Sequence, residues 1–361
     1  MCEKIFEKIK RENLDGFLFS SYSNIFYLSK FNSSNAFVIL TDKGKYFITE
    51  SRYYDNAKEK LKDFNVIKLG EGNKKGLDHL KEILESLNLK NVGFEKDKIT
   101  LSFYEKLKKD TSINFIGLEG FLNEFRMVKS EEEIKIITKA VRKTDRVYKR
   151  VLEDIPGLIG KPESSIRQKI VNYIFEEGGT GESFPAIVAS GKHSAIPHWE
   201  TSSHKIKNNA PLLIDMGMKY KGYCSDFTRT IILGKSNPKL EKIYNIVKEA
   251  HLKALSVVKA GIPIKEIDLA ARKVIEKYGY GEYFNHSTGH GVGIDIHEEP
   301  RIYKDNEGIL QENTVFTIEP GIYIPGLGGV RLENIVVARK DKGEALSKVG
   351  LDLIYLWIIF D

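Results

Sequence analysis

Cysteine is scarce in this chain, whose 361 residues include only Cys2 and Cys224, without a CxxC spacing. A disulfide framework is therefore not expected, and a reducing compartment fits. Long apolar runs are also missing, since no segment approaches the roughly 20 residues of a membrane-spanning helix. The N-terminal segment MCEKIFEKIKRENLDG lacks the apolar core of a secretory signal. These absences predict a soluble cytoplasmic protein with no membrane partner.

Long runs of one charge sign are absent as well. The 56 basic and 50 acidic residues give a net charge of +6 and are interleaved, as in KEKLKDF and KEILESLNLK. Such mixing is typical of solvated helix faces, so no nucleic-acid partner is expected. The glycines of GHGVG do not make a dinucleotide loop, because the GxGxxG spacing and a following helix are missing.

The length predicts two domains, each able to bury its own core. Four short apolar runs between residues 14 and 50 predict strands: FLF, IFYL, AFVIL and KYFIT. Helical periodicity follows at 52–63 and 76–88, and NVGFE predicts another strand. This alternation indicates an α/β domain over residues 1–122.

A long amphipathic helix opens the second domain, which we expect to cover residues 123–361. Ser130 is a candidate N-cap and Glu133 completes a capping box. Ile134, Ile137 and Val141 then recur on one face of the helix.

The second domain contains an internal repeat. IRQKIVNYIFEEGG aligns with IDLAARKVIEKYGY, and the strand segments LLIDMG and YCSDFTRTII align with FTIEPG and GVRLENIVV. Carboxylates occupy matching places in the two halves, where Asp215 pairs with Glu319 and Asp226 with Glu333.

These four acids lie in apolar strand segments, where an unpaired carboxylate costs several kcal/mol or takes up a proton. Too few basic residues accompany them for each to be neutralised. Divalent cations would remove the repulsion, and the amount of negative charge predicts a pair of ions about 3.5–4 Å apart.

Three histidines in NHSTGHGVGIDIHEEP extend this prediction. His290 is the candidate nitrogen ligand, and the neighbouring glycines are expected to let the backbone pass close to the ions. His286 and His297 are then free to hold substrate or to stabilise an oxyanion.

The succession of Asp215, Asp226, GHGVGIDIHEEP, TIEPGIY and GVRLEN resembles the pita-bread metallopeptidases, in particular aminopeptidase P and prolidase. The N-terminal segment resembles their creatinase-like domain, so the resemblance covers nearly the whole chain. It implies an α/β (α+β) fold, with a creatinase-like N-terminal domain followed by a pseudo-symmetric pita-bread catalytic domain.

The resemblance also implies roles for individual residues. Two divalent ions would be held by five ligands: Asp215, Asp226, His290, Glu319 and Glu333. Asp226 and Glu333 would bridge both ions, Glu319 would also shuttle the catalytic proton, and Arg331 would pair with a ligating carboxylate. FPAIVASGKHSAIPHWE matches the substrate-side segment and carries His198; His297 and His286 match further substrate-side histidines.

The implied activity is that of a dinuclear exopeptidase that hydrolyses the Xaa-Pro bond, either of dipeptides or of longer peptides. Mn²⁺ or Co²⁺ fits the oxygen-rich ligands, with Fe²⁺ or Zn²⁺ as alternatives, and a homodimer is expected. Two alternatives are a metal-free pita-bread binding module and a creatinase-like amidinohydrolase, both of which the complete ligand set disfavours. A methionine aminopeptidase would lack the N-terminal domain.

Simpler structural roles are open for several residues. The ligand acids could form buried ion pairs with Arg229 and Arg331. Glu298 and Glu299 could be extra ligands, solvated acids or partners of Arg301. The remaining histidines are expected at the surface: His79, His193, His204 and His251. The apolar tail LDLIYLWIIFD is too short to cross a bilayer and predicts a buried strand or a subunit contact.

Overall fold

The computed structural model describes residues 2–70 and 76–356. The chain divides into two compact units, Met1–Phe125 and Arg126–Asp361, here called the N-terminal and C-terminal units. Among the helices in the described ranges, none is both long enough and apolar enough to span a membrane.

The N-terminal unit is built on one six-stranded sheet. Its strands are β1 (Gly16–Phe19), β2 (Ala36–Thr41), β3 (Gly44–Thr49), β4 (Asn65–Lys68), β5 (Asn91–Glu95) and β6 (Asn114–Leu118). The helices that accompany them are α1 (Cys2–Arg11), α2 (Tyr22–Ser29), α3 (Ser51–Lys60), α4 (Gly76–Ser86) and α5 (Leu101–Lys108). Helix α6 (Asn123–Met127) contains the boundary between the two units.

The order of this sheet is β4-β3-β2-β1-β5-β6. The pairs β1–β2 and β2–β3 are antiparallel, whereas β3–β4, β1–β5 and β5–β6 are parallel. Apolar side chains of the strands pack with those of α4 and α5, including Leu18, Ile39, Val92, Leu80 and Leu107. The predicted α/β character of this region is confirmed.

One of its predicted strands is wrong, because IFYL lies within helix α2. Six consecutive residues of this helix are buried, Ser23 to Leu28. A short apolar run that is buried all round shows no periodicity, so a strand and a helix cannot be distinguished from it. Lys30, in the left-handed region at φ 56°, ends the helix.

The C-terminal unit contains four long helices and fourteen described strands. The helices are α7 (Glu131–Asp154), α8 (Glu163–Glu176), α9 (Pro238–Val257) and α10 (Lys265–Lys277). The strands of its first half are β7 (Gly181–Glu182), β8 (Ile187–Ser190), β9 (Ala210–Met216), β10 (Met218–Tyr220), β11 (Tyr223–Cys224) and β12 (Phe227–Leu233). The later strands are β13 (Gly289–Gly291), β14 (Glu298–Ile302), β15 (Val315–Ile318), β16 (Gly321–Ile324), β17 (Gly328–Arg331), β18 (Asn334–Ala338), β19 (Gly343–Ala345) and β20 (Tyr355–Leu356).

Helix α7 begins as predicted. The Ser130 hydroxyl accepts from the Glu133 backbone N–H, and the Glu133 carboxylate accepts from the Ser130 N–H, which completes the capping box. Two of the four unsatisfied N–H groups of the helix start gain partners in this way.

Each half of the C-terminal unit packs two helices against antiparallel strands. In the first half, α7 and α8 cover β9 and β12 through a core that includes Val147, Ile166, Ile170, Leu212 and Ile231. In the second half, α9 and α10 cover β15 and β18 through a core that includes Ile243, Val247, Ile267, Phe316 and Val336. The two aligned helical segments lie in α8 and α10, so the repeat in the sequence corresponds to a repeat in the packing.

Strand register places the matched acids near one another. Asp215 on β9 is opposite Thr228 on β12, and Ile318 on β15 is opposite Asn334 on β18. Glu319 and Glu333 therefore flank the end of the second pair. A backbone hydrogen bond of 3.1 Å from the Glu333 N–H to the Thr228 carbonyl joins the two halves here.

The described end of the chain joins the first half. β20 pairs in parallel with β12, with Tyr355 opposite Ile232. The last five residues of the apolar tail, 357–361, lie outside the described residues, so the prediction for that part of the tail stays a prediction.

Candidate metal centre

The structure brings the five predicted ligands together. Asp215, Asp226 and Glu333 are buried, with 8%, 5% and 1% of their surface exposed. His290 Nε2 lies 3.6 Å from Asp226 Oδ2 and 3.3 Å from Glu319 Oε1. Ligand atoms of Asp226, His290 and Glu333 all lie within 4.8 Å of one another.

A threonine hydroxyl from each half orients one of these carboxylates. Thr228 Oγ1 donates to Glu333 Oε2 at 2.7 Å, and Thr317 Oγ1 donates to Glu319 Oε1 at 3.2 Å. Both threonines lie within paired strands, β12 and β15. The strand pairing thus fixes the positions of the two threonines, and their hydroxyls orient the carboxylates of Glu333 and Glu319.

The carboxylates repel one another strongly. Burial raises the pKa of Asp226 and Glu333 well above the ordinary values, and the neighbouring acids raise it further. Burial also raises the pKa of Asp215, although the Arg331 guanidinium opposes the shift. Burial would raise the pKa of Glu319 too, but its contact with His290 lowers it to about 2. The cluster carries more negative charge than its protein partners neutralise.

Two carboxylate oxygens of this cluster lack a partner that would balance their charge. Asp215 Oδ1 and Glu333 Oε1 are buried and have no hydrogen-bond partner, although buried polar atoms are nearly always paired. Within the described residues, Arg331 is the only arginine that forms a salt bridge with one of the four acids, and that acid is Asp215. Carboxylate oxygens with one imidazole are ligands that divalent cations accept, so the residues present fit such ions.

The tautomer of His290 suits a ligand. Nδ1 lies 3.1 Å from the Gly291 carbonyl, which can only accept, so Nδ1 carries the proton. Nε2 lies on the side of the acids and would direct its lone pair at a bound cation. The backbone N–H of His290 donates to Thr317 Oγ1 at 3.1 Å, which fixes this segment on β15.

The glycines around His290 allow neighbouring segments to pack closely. A Cβ at Gly289 would strike the Thr317 carbonyl, one at Gly291 the Glu299 carbonyl, and one at Gly293 the Glu298 carboxylate. These glycines therefore permit close packing of the strands and of the Glu298 carboxylate, and the prediction that they let the backbone pass close to the ions stays a prediction.

We expect Gly289→Ala to destabilise the protein by about 1–3 kcal/mol, the usual cost of overpacking. The added methyl group would have to displace the backbone of β15. Thermal unfolding should show a fall of roughly 2–4 °C per kcal/mol. Gly157→Ala is the matched control, because its Cβ would meet no atom within 4 Å; equal shifts in the two variants would contradict the packing argument.

Arg331 connects the acids to the surrounding loops. Its guanidinium donates to Asp215 Oδ2 at 2.6 Å, to the Tyr323 hydroxyl at 3.0 Å and to the Pro197 carbonyl at 3.2 Å. Arg229, by contrast, donates to backbone carbonyls and to the Asn334 side chain. The suggested ion pair of Arg229 with a ligating acid is therefore wrong.

Tyr323 belongs to this network and was not predicted. Its hydroxyl lies 2.9 Å from His286 Nε2, whose ring donates through Nδ1 to the Ser287 carbonyl. Nε2 therefore accepts from Tyr323, and burial raises the pKa of Tyr323 to about 12. The register of β16 and β17, with Gly321 opposite Arg331, places Tyr323 on the face of Arg331, a relation that the sequence could have suggested.

The three substrate-side histidines occupy different positions. The His297 ring lies 4.3 Å from that of His290, whereas His286 contacts Tyr323 and Phe284. His198 is exposed and follows Pro197, whose carbonyl Arg331 holds. Burial lowers the pKa of His286 and of His297.

Glu298 is not among the clustered acids. Its carboxylate pairs with Arg126 and, at 3.1 Å, with Lys129, and not with Arg301. Burial raises the pKa of Glu298, but the two cations outweigh this effect and lower it. The suggestions that Glu298 is an extra ligand or a solvated acid are wrong.

Several histidines differ from their predicted surface positions. His251 is fully buried on α9, with Nε2 3.4 Å from the Asn334 amide nitrogen, and burial lowers its pKa to about 3. His193 and His204 are partly buried and contact each other. Of the four, His79 lies partly exposed on α4, where Nδ1 accepts from the Gly70 N–H.

The chain matches known families over both units. Residues 135–340, more than half of the chain, match Metallopeptidase family M24, and residues 1–128 match the Creatinase/Prolidase N-terminal domain. The chain belongs to metallopeptidase family M24. The prediction of a pita-bread metallopeptidase with a creatinase-like N-terminal domain is confirmed, as is the prediction of a hydrolase. Membership of M24 implies divalent metal ions.

Relatives and solved structures in M24 are similar over almost their full length. The Xaa-Pro dipeptidase of Pyrococcus horikoshii is 37% identical over 98% of each chain. The structure of an Xaa-Pro dipeptidase from Bacillus anthracis superposes with a TM-score of 0.94 at 34% identity, covering 98% of this chain and 99% of that one. That of an X-Pro aminopeptidase from Thermotoga maritima gives 0.90 at 32% identity over 99% of each.

Proposed function

We propose that this M24 metallopeptidase is an exopeptidase that hydrolyses the bond between a first residue and a proline in the second position. The names of the similar dipeptidases and aminopeptidase support this substrate class. One observation carries the proposal: four carboxylates and His290 converge, and two of the buried acid oxygens have no partner.

Two divalent cations per subunit belong to the proposal, with Mn²⁺ or Co²⁺ preferred and Fe²⁺ or Zn²⁺ as alternatives. Asp215 would hold one ion, His290 and Glu319 the other, and Asp226 and Glu333 both. Oxygen ligands with a single imidazole suit these ions better than a sulfur-binding metal. When bound, the pair supplies a water nucleophile at neutral pH and a Lewis acid for the scissile carbonyl.

Glu319 moves the proton in this proposal. Its carboxylate accepts from the Thr317 hydroxyl, which holds Oε1 in place. The side chain keeps 17% of its surface exposed. Oε2 can therefore take a proton from the attacking water and return it to the leaving proline nitrogen, as a general base and then a general acid.

His198 and His297 would contact the substrate and stabilise the oxyanion. A lowered pKa keeps His297 neutral near pH 7, so that one ring nitrogen is an N–H donor. His286 would help to form the substrate pocket through Tyr323. Proline has a fixed φ and no amide hydrogen, so a dedicated pocket is needed to accept it.

We expect His198→Ala to lower kcat/KM for a Xaa-Pro peptide by about 10²-fold, because one donor to the transition state is lost. The loop should keep its conformation, since Arg331 holds the Pro197 carbonyl and not the imidazole. Steady-state kinetics would measure the change. Glu200→Ala, an exposed neighbour, is the control; equal losses in both variants would contradict contact of His198 with substrate.

The test of the function compares matched peptides. Purified protein with Mn²⁺ or Co²⁺ should hydrolyse a Xaa-Pro dipeptide, a Xaa-Pro-Xaa tripeptide, or both. The same peptides with alanine in place of proline should be poor substrates. A dipeptidase must bind the proline carboxylate, whereas an aminopeptidase must leave space beyond it, so the two proline peptides also reveal the preferred length. Equal hydrolysis of the alanine peptides, or none of any peptide, would refute the proposal.

Three further predictions, on the domain bounds, the cellular location and the oligomeric state, complete the proposal. We place the creatinase-like domain at residues 1–122 and the catalytic domain at 123–361, and we propose a cytoplasmic homodimer. Scarce cysteine and the absence of a membrane-spanning helix among the described helices support the location. Light scattering on the purified protein would test the dimer.

A further inference from the structure

A second group of metal-ligating side chains lies at the start of α8 and shares no residue with the carboxylate centre. Glu163 begins the helix, His193 lies on the 3₁₀ turn Gly191–Ala195, and His204 precedes β9. Their ligand atoms lie within 4.8 Å of one another. The site is therefore composed of three segments of the first half.

Both imidazoles of this group have a buried nitrogen without a hydrogen-bond partner, His193 Nδ1 and His204 Nε2. His193 Nδ1 lies 3.5 Å from Glu163 Oε1, and the two rings are 4.1 Å apart. Two buried nitrogens without hydrogen-bond partners beside a buried carboxylate are atoms that a cation could satisfy.

The Glu163 carboxylate is fully buried and oriented by several donors. Oε1 accepts from the Ser190 N–H at 2.9 Å. Oε2 accepts from Trp199 Nε1 at 2.9 Å and from the Ser202 hydroxyl at 3.1 Å. Hydrogen bonds of this kind hold the ligating carboxylates of metal sites in one orientation.

The backbone fixes the same segments before any ion binds. The Glu163 N–H donates to the His204 carbonyl at 2.8 Å, and the Ser164 N–H donates to the Ser202 carbonyl at 3.1 Å. The Trp199 ring stacks on the His193 ring, with centroids 3.9 Å apart. Little conformational entropy is therefore lost when the three ligands converge.

We propose that Glu163, His193 and His204 bind one zinc ion, with water in the fourth position. Two imidazoles and one carboxylate are typical ligands of tetrahedral Zn²⁺, whereas the oxygen-rich carboxylate centre suits harder ions. Zinc bonds of about 2.0–2.2 Å put ligand atoms roughly 3.4 Å apart. The contact between His193 and Glu163 already has this spacing, and the remaining pairs of ligand atoms lie within 4.8 Å.

Such an ion would hold the segment that carries His198 in one conformation. His198 lies between His193 and His204 in the chain, and Trp199 contacts both Glu163 and His193. This positioning effect rests on the proposed role of His198, but binding of zinc does not.

Zinc counting on chelator-stripped protein tests the site. In a variant whose carboxylate centre is disabled by Asp226→Asn, His290→Gln and Glu333→Gln, one equivalent of zinc should remain, measured by titration against a chromogenic chelator. Adding His193→Gln and His204→Gln should reduce it to none, whereas adding His79→Gln should leave it at one. Binding of no zinc by the first variant, or of one equivalent after loss of both histidines, would overturn the proposal.

Crystals of the unsubstituted protein grown with zinc give a second measurement that does not depend on the folding of variants. Anomalous diffraction at the zinc edge should show a peak bounded by Glu163, His193 and His204. No peak at that place overturns the site. Neither measurement depends on catalysis, so failure of this proposal and failure of the proposed peptidase activity are separate results.

Discussion

Glu319→Gln is expected to lower kcat for a Xaa-Pro peptide by about 10²–10⁴-fold, the range that general acid–base catalysis contributes. The amide has the shape of the carboxylate and can still accept from the Thr317 hydroxyl. It cannot take a proton from water at neutral pH. Steady-state kinetics with Mn²⁺, together with circular dichroism, would show lost turnover in a folded protein.

Glu299→Gln is the matched control for this variant. Glu299 is exposed and its carboxylate accepts from the Arg301 N–H, so the substitution should leave the rate unchanged. Metal content measured on Glu319→Gln separates loss of a ligand from loss of proton transfer. Turnover equal to that of the unsubstituted enzyme would remove Glu319 from the proton pathway.

Arg331→Met should destabilise the metal-free protein by about 3–5 kcal/mol, the cost of leaving a buried charge without its partner. The substitution leaves Asp215 Oδ2, the Tyr323 hydroxyl and the Pro197 carbonyl without their shared donor. Urea unfolding in the presence of a chelator would measure the loss. With Mn²⁺ present the loss should be smaller, because cations would neutralise Asp215.

Arg150→Met is the control for Arg331→Met. Arg150 pairs with Glu176 at the surface, and exposed ion pairs contribute little to stability. The urea midpoint should therefore stay unchanged. A midpoint for Arg331→Met that equals that of the control would show that the buried network does not stabilise this unit.

The positions of the clustered acids could be predicted because burial makes a carboxylate conspicuous. Asp215 lies within strand β9, and Glu319 directly follows strand β15. Both strands are apolar, and such segments seldom carry a charge. The repeat then predicted that the two halves contribute alike, and the helices α8 and α10 occupy matching places. The family resemblance of the motifs likewise allowed the fold to be predicted.

What the sequence did not reveal depends on strand register and on three-dimensional packing. Tyr323 contributes to the site because it lies beside Arg331. Glu298 pairs with Arg126 and Lys129, which are far from it in the sequence. The burial of His251 could have been predicted. Tyr244, Val247, His251 and Ala254 recur every three or four residues on α9, the period of a buried helix face.

The order of the ligands along the chain has a consequence during synthesis. Among the clustered side chains, Asp215 is synthesised first and Glu333 last. On the proposed ligand set, a polypeptide that ends before Glu333 would lack one acid of the site and would not hydrolyse peptides.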